Sequence, residues 1–382
     1  MESIIRVFAA QFGSEPTLFA QAPGRVNLIG EHTDYNEGLV LPVAISRHVV
    51  IAGQPSPGGT IRLYASAFEE IAEFPAIDPG RASVPRWARY PQGVAVELTR
   101  RFPLAGLEAV VAGDLPIGSG LSSSAALEVA CSLAFEHAAG RTLAPRERAL
   151  LCHTAEVEFV GVPCGIMDQF ASALSRKGQA LFIDCRSQET HHIALPQDLV
   201  IAVCDTGVRR SLSDSSYAER RRECDAAVAG LRSHRSSITS LRDVTVDDLD
   251  LIEELPDPLA RRARHVVTEN ARVVQASQAL ESGETERLLD VFAASHQSLR
   301  NDYEVSSSEL DAMVEAALSS PGCVAARMTG AGFGGSAVAL VRRNLQDRFL
   351  QAVALGYQSR TRREGAFFVS QAADGAGTLE LS

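Results

Sequence analysis

Short apolar runs alternate along the chain with longer segments whose apolar residues recur three or four apart, so strands and helices are interspersed. Residues 4–12 read as a short amphipathic helix and 18–22 as a strand. A polar, glycine-bearing run at 23–38 interrupts, and an apolar strand pattern resumes at 39–45. Residues 107–112 predict a buried strand that enters Pro116-Ile117-Gly118-Ser119-Gly120. A helix over 122–139 follows, with Gly140 as its stop. Pro145 suits the first turn of the next helix, which should end near Gly161. Strands are expected at 179–184 and 199–203, helices dominate 217–318, and 324–329 with 336–341 form a β-hairpin around a glycine-rich turn.

The pattern fills 382 residues, more than one compact core holds, so two domains are expected. The chain is 46% hydrophobic and 22% charged, ordinary for a globular enzyme. Its formal charge of -11 argues against nucleic acid as a partner. No apolar run is long enough for a membrane span, and no signal peptide is visible. Seven cysteines without a C-x-x-C pair favour reduced thiols, hence a cytoplasmic setting.

Candidate chemistry gathers in three segments and one acid. In Gly118-Ser119-Gly120-Leu121-Ser122-Ser123-Ser124-Ala125-Ala126 the glycines let backbone approach a ligand. The helix start there offers unpaired N–H groups and a dipole that favours an anion. With no lysine, it is not the common G-x-x-x-x-G-K-[ST] loop. Such a loop is structural as often as functional, so phosphate binding and a plain turn both stand. Gly24-Arg25-Val26-Asn27-Leu28-Ile29-Gly30-Glu31-His32-Thr33-Asp34-Tyr35-Asn36 places Arg25, Glu31, His32 and Asp34 between two strands. Carboxylates and an imidazole can pair the hydroxyls of a sugar, and an arginine can neutralise phosphoryl charge. The plain alternative is a polar surface loop. Met328-Thr329-Gly330-Ala331-Gly332-Phe333-Gly334-Gly335-Ser336 carries more glycine than a hairpin turn requires. Asp168 is either a buried base or a helix cap.

Together these residues resemble the galactokinase branch of the GHMP small-molecule kinases. Pro23 to Asn36 is similar to that family's sugar signature, Gly120-Leu121-Ser122-Ser123-Ser124-Ala125 to its ATP-phosphate loop, and Gly330-Ala331-Gly332-Phe333-Gly334-Gly335 to its third motif. Connectors such as Ser298-Leu299-Arg300-Asn301-Asp302-Tyr303-Glu304 match too, so the likeness covers essentially the whole chain. It implies an α+β fold of two lobes, 1–190 and 191–382, with the extreme C-terminus packing back on the first. The active site would lie in the cleft between them. The implied activity is transfer of the ATP γ-phosphate to the C1 hydroxyl of D-galactose by a monomer, in the first step of galactose catabolism. N-acetylgalactosamine kinase and a non-catalytic galactose sensor are the neighbouring functions. Asp168 would face the C1 hydroxyl with Arg25 beside it, and Glu31, His32, Asp34, Gly165 and Tyr217 would contact the sugar. Gly118, Ser119, Gly120, Leu121, Ser122, Ser123, Ser124 and Ala125 would hold the ATP phosphates, and Trp87 and Tyr90 would sit near the adenine. Ser124 and Glu156 would ligate Mg²⁺.

Two departures stand out. Glu37 replaces the signature's usual Gly, Asp or Gln, and Ala331 and Ser336 replace the Gly and Cys of the third motif. Ala331 adopts positive φ less easily than glycine, which would loosen the loop. The arginine runs 220–222 and 261–264 are expected to be solvated, ion-paired faces, and His191-His192 a solvated pair rather than a metal site.

Overall fold

The computed structural model describes residues 2–209 and 213–379, the side chains of 213–215 excepted. The strand Leu18–Asn27 runs antiparallel to the long strand Pro42–Ser56 in a six-stranded sheet. Gly106–Gly113, Thr60–Ala65 and Glu70–Pro75 extend one side, and the short strand Gly377–Thr378 closes the other. The pairing register slips between Pro23 and Arg25. A bulge of this kind bends a strand and re-aims its side chains. A Cβ on Gly24 would stand 2.7 Å from the Leu121 carbonyl oxygen, so only glycine lets the loop at 118–124 seat directly on the strand.

The helix Ser123–Ala138 lies on this sheet and is buried around almost its whole circumference. Its polar residues therefore need internal partners, and Glu136 takes both arms of Arg148 at 2.7 Å. The helix from Pro145 keeps α geometry to Thr154, widens into a π-type turn over Ala155–Val160, and stops at Gly161, whose φ is 89°. Such turns recur at functional sites, and this one carries Glu156.

A second, four-stranded antiparallel sheet orders Cys323–Thr329, Ser336–Arg342, Leu199–Asp205 and Ala366–Ser370. Leu39–Val40, Gln179–Asp184 and Thr190–Ala194 make a third. The helices Ser213–His234, Leu259–Glu281 and Arg287–Asn301 gather around a separate core that includes Leu231, Val266 and Leu299. The largest apolar cluster is continuous from Leu18 through Val203 and Phe292 to Ala372. Among the described residues no helix is long and apolar enough to cross a membrane.

One expectation is overturned in both arginine runs: in the first, Arg220 is buried against Glu223, and the second holds the clearer case. Arg262 is only 2% exposed, its guanidinium held between Glu223 and Glu304 at 2.8 and 2.7 Å. The run 261–264 lies on a helix with one face in the core, and the helical period turns its second arginine inward.

Candidate active site

Arg25 sits where the strand bulge aims it inward, and its guanidinium meets Asp168 as a fork. Nε and Nη2 donate to the two carboxylate oxygens at 2.7 and 2.8 Å. Nη1 donates to the Gly120 carbonyl at 2.7 Å, and the Arg25 amide to the Leu121 carbonyl at 3.1 Å. One residue thus fastens the acid to the glycine-serine loop. Ser122 adds its hydroxyl to Asp168. Asp168 lies in the first turn of the helix Met167–Leu174 and does not cap it.

Ser122 has a left-handed φ of 59° and makes no side-chain cap for the helix it precedes. Ala126 is the first residue whose N–H bonds back into that helix, to the Ser122 carbonyl. The N–H groups of Ser123, Ser124 and Ala125 therefore precede the helix's own ladder and form an anion-binding end. Gly118 and Gly120 have φ of 73° and 81°, which sets the tight approach. Behind the loop, the Ser119 hydroxyl donates to the Pro116 carbonyl, and the Ser336 hydroxyl donates to the Ser119 carbonyl at 2.9 Å.

Around Asp168 a cleft is lined by Asp34, Gly165, His32, Glu31 and Tyr217. A Cβ on Gly165 would fall 2.2 Å from Oδ2 of Asp34, so glycine is the residue that lets the two segments meet. Burial first, and then the neighbouring Asp168, push the Asp34 carboxyl up to about 6. His32 Nε2 lies 3.2 Å from the Ala331 carbonyl, which can only accept, so this nitrogen carries a proton. In the neutral ring Nδ1 then accepts from the Tyr35 hydroxyl at 2.9 Å, and the rings of Tyr217 and Tyr303 pack on His32. Glu31 is 2% exposed and takes the Gly330 N–H at 2.9 Å.

Glu156 is buried, and burial followed by the charge of Asp168 raises its carboxyl to about 7. Its neighbours are neutral donors: the Ser124 hydroxyl, and Nε2 of Gln169 at 2.6 Å. A buried carboxylate beside a hydroxyl, in no ion pair among the described residues, is an oxygen donor set suited to a hard cation. No cluster of three or more acidic, histidine or cysteine side chains among the described residues would hold a metal alone.

The chain as a whole is similar to known proteins. The galactokinase galactose-binding signature model matches residues 6–55, and the GHMP kinase N-terminal and C-terminal models match 89–176 and 276–358. The galactokinase of Chloroflexus aggregans is 45% identical, with 95% of this chain and 94% of that one covered. That of Homo sapiens is 42% identical over 98% and 96%. The chain belongs to the galactokinase family. The crystal structure of Lactococcus lactis galactokinase complexed with galactose superposes with a TM-score of 0.94 at 32% identity, covering 99% of each chain. A mevalonate kinase at 16% identity and a TM-score of 0.67 shares the two-domain fold. The protein is thus an ATP-dependent sugar kinase of the GHMP class.

One cleft of about 1100 Å³ gathers most of the residues that the galactokinase resemblance singles out. Arg25, Glu31, His32, Asp34, Gly165, Asp168 and Tyr217 line it, as do Gly118, Gly120, Leu121, Ser122, Ser123, Ser124, Glu156 and Tyr90. Ser119 and Ala125 are buried behind this lining, and Ala125 reaches a ligand only through its amide. Trp87 is not brought into the cleft: its indole N–H bonds Glu70 at 3.1 Å and its ring stacks on Phe68. Arg209 lines the cleft and was not anticipated. Its side chain faces Gly118 and its Nη1 bonds Asp205 at 2.7 Å. The only signal in the sequence was its place just beyond a buried strand. The departures resolve simply. Ala331 is not among the residues with positive φ, so its Cβ costs nothing there. Glu37 does adopt a left-handed φ of 58°, which explains the usual glycine, and its carboxylate pairs with Arg186 at 2.8 Å.

Proposed function

We propose that this enzyme transfers the γ-phosphate of ATP to the C1 hydroxyl of D-galactose, giving galactose 1-phosphate and ADP. The observation that carries the reading is the Arg25–Asp168 fork, which joins the phosphate loop to the sugar pocket at one point. The amides of 123–125 and the glycine turns would cradle the ATP phosphates, with Tyr90 toward the base. Glu31, His32, Asp34, Gly165 and Tyr217 would orient the sugar.

Asp168 has three of its four acceptor sites filled by Arg25 and Ser122, and the fourth is open to accept the C1 proton as phosphorus is attacked. Arg25 spends three N–H groups on Asp168 and Gly120, which leaves two for the transferring phosphoryl oxygens. Ser124 and Glu156 would hold Mg²⁺, which supplies charge neutralisation at the β- and γ-phosphates. Phosphoryl transfer asks the protein mainly for this positioning and charge. We take the lobes to divide near residue 190. All seven cysteines are free thiols, five of them buried, which fits a cytoplasmic enzyme.

Asp34 can accept from two adjacent ring hydroxyls, and a C4 epimer leaves it partly unpaired at a cost of about 1–3 kcal/mol. Measuring kcat/KM over a sugar panel tests this. Galactose should exceed glucose by roughly tenfold to a hundredfold. N-acetylgalactosamine, crowded at C2 by Cys164 in the cleft lining, should be poor. Equal or better use of N-acetylgalactosamine would overturn the choice of sugar.

A further inference from the structure

Arg327 is fully buried in the strand Cys323–Thr329, which leads into the third glycine-rich motif. A buried guanidinium stabilises a core weakly at best, because desolvation offsets its ion pairs. Its surroundings are specific. Nη1 donates to the Leu28 carbonyl at 3.0 Å and to Oε2 of Glu31. On its other side Nη2 lies 3.6 Å from Oε1 of Glu269, which is also wholly buried. That Glu269 oxygen accepts the Gly30 amide at 3.1 Å and the Ser295 hydroxyl at 2.6 Å. The backbone at 28–30 is therefore gripped from both sides, by Arg327 through a carbonyl and by Glu269 through an amide.

The grip continues to the cleft. Glu31 accepts Arg327 and Asn27 on one oxygen and the Gly330 amide on the other, so three of its four acceptor sites are filled. One remains, on Oε1, and Glu31 lines the cleft. Asn27 and Thr329 exchange two further bonds, at 2.9 and 3.0 Å, and His32 reaches the Ala331 carbonyl. Residues 27–32 and 327–331 thus lie zipped together, and Arg327 is the one member that contacts both a backbone atom and the cleft-facing acid. Charge bears on the same point. Burial raises the Glu31 carboxyl, and the arginine opposes that rise. Burial also works against the ionised form of Glu269, yet Arg272 and Arg327 hold it down to about 2.

We propose that Arg327 is a positioning residue for the sugar site: its guanidinium sets the Glu31 carboxylate and the Leu28 backbone, and so fixes the register between the sugar loop 31–34 and the turn 330–331. This rests on the reading of that loop as the galactose subsite. The arginine touches neither substrate, and its effect passes through Glu31.

The test is steady-state kinetics with galactose and ATP varied separately, on Arg327→Lys and Arg327→Met, with galactose binding to each protein followed by calorimetry. A lysine ammonium ends one bond short of the Nη1 position and lacks the second nitrogen that faces Glu269, so Arg327→Lys should raise the galactose KM about fivefold. Its ATP KM should stay within about twofold. Arg327→Met leaves Glu31 buried without its cation and should raise the galactose KM by roughly twentyfold or more. If Arg327→Met does not fold, the split in the lysine variant decides alone. An unchanged galactose KM in Arg327→Lys, or equal rises for both substrates, overturns the proposal. A wild-type protein that binds no galactose would instead sink the reading of the subsite, which the calorimetry reports independently.

Discussion

The Asp34 carboxyl holds its proton up to about 6 because it is enclosed and faces Asp168 across the pocket. A sugar hydroxyl pair is bound best by the ionised form, so galactose affinity, measured without nucleotide, should fall as pH drops below about 6. Stability carries the opposite sign. Between the ordinary value of 3.8 and about 6 the folded chain binds the proton and the unfolded chain does not, so stability declines as pH rises through that window. Asp34→Asn should lose galactose binding while melting at a higher temperature than wild type at pH 8. That gain should vanish near pH 4, and a variant that melts lower at pH 8 would show that Asp34 supports the fold. The carboxylates, histidine and serines of this site were legible as residue types in the sequence. Their bonding was not, beyond the family resemblance that set Arg25 beside Asp168. That Arg25 also fastens the Gly120 carbonyl, or that Ser122 turns from capping to the acid, depends on a strand bulge and one left-handed residue.

At the scale of elements, apolar periodicity located the helix Ser123–Ala138 and the hairpin of Cys323–Thr329 with Ser336–Arg342 within about a residue. Long buried elements give the strongest pattern. The hairpin of Thr60–Ala65 with Glu70–Pro75 and the helix Gln346–Thr361 were not anticipated. The hairpin strands are six residues each and set the apolar pair Tyr64 and Ile71 on the less buried face, and only three residues of the helix are buried, which blurs the sequence pattern. The widening at Ala155–Val160 was equally invisible, because a π-type turn has no sequence period of its own. It carries Glu156 to the Ser124 hydroxyl, where we propose that Mg²⁺ is held. Glu156→Ala should raise the Mg²⁺ concentration for half-maximal rate by roughly tenfold or more, with galactose binding by calorimetry nearly unchanged. An unaltered Mg²⁺ dependence would assign Glu156 to structure alone.

Over the whole molecule, the sugar loop, the phosphate loop and the third motif come from distant parts of the chain and meet at one cleft. Asn27–Thr329, Glu31–Gly330 and Ser119–Ser336 join them directly, each across more than 200 residues. No local pattern predicts such contacts; the order of three motifs along the chain suggested them only through family resemblance. The continuous core from Leu18 to Ala372 explains how the cleft keeps its geometry: elements on both sides of residue 190 share one packed interior. The account stands or falls on where the phosphate goes. ³¹P NMR of the protein with Mg²⁺, ATP and galactose should show one new phosphomonoester, coupled to the anomeric proton, growing in step with ADP. ADP without a sugar phosphate, or phosphate on a hydroxyl other than C1, would contradict it.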